Sequence, residues 1–123
     1  MDEAEIITKI KEFATEIYTT LGAGYIEGVY GEALGLELRK AKIDYETEFN
    51  TEIMYKNEKV GTNKSDFLIE KKFIVELKTS AITNAHKGQI GAYLRTLGLK
   101  KGLIISFPYP DGTEPSFEEI TIE

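Results

Sequence analysis

The sequence predicts an α/β fold, and two observations carry that prediction. Apolar residues recur at helical spacing as far as residue 41, then alternate from residue 45, which is the change of period expected where helices give way to strands. Further on, Phe73-Ile74-Val75-Glu76-Leu77-Lys78 is an apolar run of strand length interrupted by one acidic residue. An ionised carboxylate in a buried strand is costly unless it is paired or bound to a metal, so Glu76 calls for an explanation from the rest of the chain.

Residues 3–21 form the first helix on the stripe Ile6, Ile10, Phe13 and Ile17, with Ile7, Ala14, Tyr18 and Leu21 beside it. Leu21-Gly22-Ala23-Gly24 breaks that pattern. A second helix runs from about Ile26 to Ala41, with Arg39, Lys40 and Lys42 placed to suit the negative end of its dipole. Glu27 stands in its first turn, where helix-end stabilisation alone accounts for a carboxylate, and Tyr30 shares its face three residues on. Strands follow at 45–55, about 60–69 and 73–78, the first two joined by a turn at Lys56-Asn57-Glu58-Lys59. Thr83 or Asn84 caps a helix that reaches Leu97 and is closed by Gly98. Residues 101–107 read as a buried strand, Asp111-Gly112 as a turn, and Glu119–Ile122 as a last edge strand. A single domain over residues 1–123 is expected, without repeat or linker.

The hairpin between the second and third strands can be registered on paper. Asp66 and Leu68 share one face, as do Ile74, Glu76 and Lys78. A two-residue turn at Lys71-Lys72 would pair Asp66 with Leu77 and mix the faces. A three-residue connection, or a bulge near residues 70–73, brings Asp66 beside Glu76 and Lys78, and is therefore the expectation.

Composition narrows the function. Fifteen basic against 21 acidic residues give a net charge of −6, unlike a protein that coats nucleic acid through a basic footprint. An enzyme with local basic residues is still compatible with that balance. The absence of cysteine rules out disulfides and thiolate metal sites and fits a cytoplasmic location. No apolar run is long enough for a membrane span.

In the expected register, Asp66, Glu76 and Lys78 converge on one patch of sheet. Two close carboxylates repel and are stabilised by a divalent cation such as Mg²⁺, and a lysine beside it can position a water or offset phosphate charge. An ordinary surface ion pair would account for Glu-x-Lys by itself. The third helix adds His86, Gln89 and Tyr93 on one face. His86, the lone histidine, reads as a helix-start residue, whereas Gln89 sits where an apolar contact to the sheet is expected.

Asp66, then Glu76-Leu77-Lys78, then Gln89-Ile90-Gly91-Ala92-Tyr93 together resemble the PD-(D/E)xK nuclease superfamily, in its RecB-like branch with a Gln-x-x-x-Tyr helix. Gly24-Tyr25-Ile26-Glu27-Gly28-Val29-Tyr30 resembles the pattern of the GxxExxY family within it. The resemblance spans about Leu21 to Phe107 and implies a restriction-endonuclease-like α/β core, a mixed sheet flanked by helices. It implies Mg²⁺ or Mn²⁺ held by Asp66, Glu76 and the Leu77 carbonyl, with Glu27 completing the set directly or through water. Lys78 would stand near the attacking water and Gln89 would orient it or the substrate. Tyr30 and Lys64 would face the substrate, Lys64 standing where relatives often carry arginine, and Tyr93 would either support the site from behind or face the DNA. The expected activity is metal-dependent hydrolysis of phosphodiester bonds, DNA before RNA, by a homodimer or with a partner that delivers substrate. The alternative is a catalytically silent nucleic-acid-binding or regulatory module, and beyond that a purely structural subunit.

Overall fold

A computed structural model of the protein describes residues 1–110, 112 and 114–123. Its order is α1 (Glu3–Leu21), α2 (Glu27–Lys40), β1 (Tyr45–Tyr55), β2 (Glu58–Ile69), β3 (Phe73–Lys78), α3 (Asn84–Leu97), β4 (Lys101–Ser106) and β5 (Ser116–Thr121). Asp111, half of the turn expected at Asp111-Gly112, lies outside the described residues. No helix among them is long and apolar enough to cross a membrane.

Local chemistry sets the helix ends. Asp2 and Glu5 form a reciprocal capping box that starts α1, and Gly22, at φ 79°, ends it. Thr83 caps α3, with its side chain accepting from the His86 N–H, and Gly98 closes the helix in the left-handed conformation. His86 completes this box by accepting the Thr83 N–H at its Nδ1, 3.1 Å away. That is the helix-start role its position suggested.

The five strands form one mixed sheet in the order β1-β2-β3-β4-β5, parallel between β3 and β4 and antiparallel elsewhere. Phe67, Ile69, Phe73, Val75 and Leu77 face α1 and α2 and join Leu103, Ile105 and Phe107 in the larger core. Leu68, Ile74 and Ile104 face the other way and pack against Ile90 and Leu94 of α3. The alternation of the strands thus fills both sides of the sheet. Gly102 lets α3 sit close, since a Cβ there would come within 2.7 Å of Ile90 Cγ2.

On α1, Ile6, Ile10 and Ile17 are buried within the chain and Phe13 packs against the same core. The stripe that could have served a dimer is therefore used internally.

β2 pairs with β3 only from Phe67–Val75 to Ile69–Phe73. Glu70, Lys71 and Lys72 make the three-residue connection that the face pattern required, with Glu70 and Lys71 at positive φ. Beyond it, β1 and β2 run on as a two-stranded ribbon to a two-residue turn at Lys56-Asn57, both at positive φ as such hairpin turns demand. No residue from Asp44 to Lys64 is buried.

Candidate active site

The ladder between β2 and β3 gives way at one point. One step past Phe67–Val75, the register sets Asp66 opposite Glu76, and there side chains take over from carbonyls. The Asp66 N–H donates to Glu76 Oε1 at 3.1 Å, and the Leu77 N–H donates to Asp66 Oδ2 at 2.8 Å. On the other edge of β2, the pairs flanking this position are Thr47–Phe67 and Phe49–Ser65, which sets Glu48 opposite Asp66. Glu48 has φ 50°, a conformation strained for a residue with a Cβ. The sheet is therefore interrupted on both sides of Asp66.

Glu76 is only 7% exposed. Burial raises its pKa to about 8, and the negative charge of Asp66 pushes in the same direction. The bond from the Asp66 backbone and the charge of Lys78 oppose that rise without cancelling it. Glu76 is thus a carboxylate held where the nearby positive charge is too little to offset its burial.

A cavity of about 220 Å³ opens over this pair. Its walls bring together Glu27, Lys64, Asp66, Glu76, Lys78, His86, Gln89 and Tyr93, with Ile90 and Ile104 behind them. Residues from α2, β2, β3 and α3, far apart in the chain, meet here.

Tyr30 is not among them. It is fully buried, its hydroxyl donates to the Gly22 carbonyl at 2.6 Å, and its ring stacks on Phe107 at 4.2 Å. The expectation that Tyr30 faces the substrate is corrected: Tyr30 belongs to the apolar face of α2, and the packing of that face carries it into the core.

The donor chemistry suits a hard cation. Asp66 and Glu76 supply carboxylate oxygens, and Leu77 directs its N–H to the β2 side, so its carbonyl points to the same edge. Among the described residues no three acidic or histidine side chains group closely enough to hold a metal by themselves. Glu27, expected to complete the ligand set, therefore lines the cavity without joining the pair.

A second hollow, of about 510 Å³, adjoins the first and shares Glu27 and Asp66 with it. It runs between α2 and β1 past Gly31, Gly35, Arg39, Tyr45 and Thr47. In sequence Arg39 looked like a helix-end cation, and no motif marked Tyr45 or Thr47. Only the hollow between α2 and β1, closed by the Arg39–Tyr45 hydrogen bond, relates them to the site.

A family model described as the PD-(D/E)XK nuclease superfamily matches residues 4–118. The solved structure of SSO0001 is similar at a TM-score of 0.59 and 23% identity, over 76% of this chain and 50% of that one. The chain thus spans half the length of that protein, and the likeness establishes a restriction-endonuclease-like arrangement of a mixed five-stranded sheet and three helices. No curated protein matches by sequence.

Proposed function

Because the chain belongs to the PD-(D/E)XK nuclease superfamily, we propose that it is a metal-dependent nuclease that hydrolyses phosphodiester bonds, in DNA before RNA, at the cavity around Asp66 and Glu76. The observation that carries this reading is the meeting of Asp66, Glu76, Lys78 and Gln89 in one cavity at the break in the sheet. Asp66, Glu76 and the Leu77 carbonyl would hold Mg²⁺ or Mn²⁺, which when bound polarises the phosphate and lowers the pKa of water.

The remaining roles belong to the chain. Lys78 positions the attacking water and offsets charge that develops on the phosphate. Gln89 offers an amide that can both donate and accept, suited to orienting Lys78 or a phosphate oxygen. Glu27 holds water at the rim, and Lys64 and Tyr93 contact the substrate strand. Since the apolar stripe of α1 is covered within the chain, a partner protein is a better source of substrate delivery than a second copy.

Cleavage of single- and double-stranded DNA and of RNA with Mn²⁺, beside Glu76→Ala and Lys78→Ala proteins of verified fold, tests this reading. The parent should cut, and each substitution should slow cutting by about 10²-fold or more. Mn²⁺ binding that Glu76→Ala abolishes, without cleavage by the parent, would favour a catalytically silent binding module, which the net charge of −6 also suits. The absence of both cleavage and metal binding would refute the nuclease reading.

A further inference from the structure

We propose that the groove between α2 and β1 is a strand-binding site, which carries a single nucleic-acid strand away from the cavity and anchors one of its phosphates on Arg39. The ligand class rests on the nuclease reading; the site itself rests on the shape of the groove and on the Arg39 guanidinium held in it. Its volume of about 510 Å³ lies in the range of binding clefts. It is continuous with the proposed catalytic cavity, because Glu27 and Asp66 line both. From Glu27 to Arg39 the helix axis advances about 18 Å at the usual rise per residue, so an occupant reaching Arg39 extends well beyond the scissile bond.

Arg39 is one of two arginines in the chain, and among the described residues it enters no ion pair. Instead its Nη1 donates to the Tyr45 hydroxyl at 2.5 Å, while the Tyr45 ring leans on Phe67 with centroids 5.8 Å apart. The guanidinium is thus held at the groove by a neutral partner, with further N–H groups free for a phosphate. Gly35 makes room for this pair, since a Cβ there would lie 3.1 Å from Tyr45 Oη and 3.3 Å from Arg39 Nη1.

The other charges in the groove are acidic. Glu48 is paired with Lys64 at 3.5 Å, Glu27 and Asp66 stand at the catalytic end, and Glu32 lies between. The carboxylates repel a phosphate along the rest of the groove, and among the described residues Arg39 is the one cationic side chain lining it, so a strand is held there and not elsewhere. A hollow of about 510 Å³ has room for a short length of one strand, whereas a duplex of the same reach fills several times that volume. DNA and RNA share the phosphodiester chemistry that Arg39 reads.

The test is fluorescence anisotropy with labelled single-stranded DNA and RNA of graded length, starting from a dinucleotide, in Ca²⁺. Affinity should rise with length until the strand reaches Arg39. Arg39→Ala should weaken binding of the longer strands roughly tenfold and lower the salt slope by about one, leaving the dinucleotide unaffected. Tyr45→Phe should produce a smaller loss of the same kind, and Arg95→Ala none. The DNA and RNA arms show which strand the groove prefers. Equal binding by Arg39→Ala, an equal loss on the dinucleotide, or a parent that binds no oligonucleotide would overturn the proposal. Cleavage with Mn²⁺ separates the two readings: a parent that binds through Arg39 without cutting refutes only the nuclease. A parent that cuts, with Arg39→Ala binding unchanged, refutes only the groove.

Discussion

Glu76 makes the stability of the metal-free protein depend on pH in a direction opposite to that of most carboxylates. Its pKa rises from 4.5 in the unfolded chain to about 8 in the folded one, because burial and Asp66 disfavour the ionised form. Between those values the folded protein holds a proton that the unfolded chain has released, so stability falls as pH rises from 4.5 to about 8 and levels off above. At about 1.36 kcal/mol per pH unit, the whole interval corresponds to at most roughly 5 kcal/mol, a large part of a small domain's stability. Urea denaturation in a chelator, from pH 5 to pH 8.5, reads this directly. Glu76→Gln keeps an oxygen for the Asp66 N–H but has no proton to lose, so its profile should be flatter and its midpoint at pH 8 above the parent's. Saturating Mn²⁺ should restore the parent at pH 8, by about 2.7 kcal/mol at a hundred times its dissociation constant. A Glu76→Gln profile as steep as the parent's would refute this account of the buried carboxylate.

Two further substitutions probe the surroundings. Tyr30→Phe removes the hydroxyl that serves the Gly22 carbonyl and should destabilise by about 1–2 kcal/mol in urea titrations. Cleavage per folded molecule should stay unchanged, and a selective loss of substrate affinity would return Tyr30 to the substrate surface. Glu48→Gly relieves the positive φ opposite Asp66 and should raise stability by up to about 1 kcal/mol after the added freedom of glycine in the unfolded chain is counted. A lower urea midpoint would show that the Glu48 side chain contributes more than its strain costs.

The parts of this molecule that were legible in the sequence are those set by neighbours in the chain. The three-residue link between β2 and β3 followed from requiring Phe67 and Val75 to share a face, and it carried Asp66 to Glu76. Thr83 and Gly98 announced the ends of α3 through cap chemistry. Tyr30 was expected at the substrate beside Glu27 in the family pattern, although its place among the apolar residues of α2 pointed to the core where it lies. Glu27 lines the cavity, where the Gly24–Tyr30 pattern set it, although its place in the first helical turn alone had a sufficient local explanation. The Arg39–Tyr45 pair was hidden for another reason. It is made where the end of α2 meets the start of β1, and each residue has an adequate local explanation alone.

The unburied ribbon of β1 and β2 also divides the molecule by stiffness. Two strands without a third, or a packed face, are marginal in water, so the outer ribbon opens far more cheaply than the five-stranded body. Its root is at Lys64 and Asp66, one wall of the cleft, while Glu76 and Lys78 lie on β3, clamped against β4 by parallel pairing along its whole length. One jaw is soft and the other rigid. Under the proposed nuclease reading, the entrance can yield to substrates of different girth while the residues on the rigid jaw keep their aim, so tolerance in what is admitted need not blur where a bond would be cut.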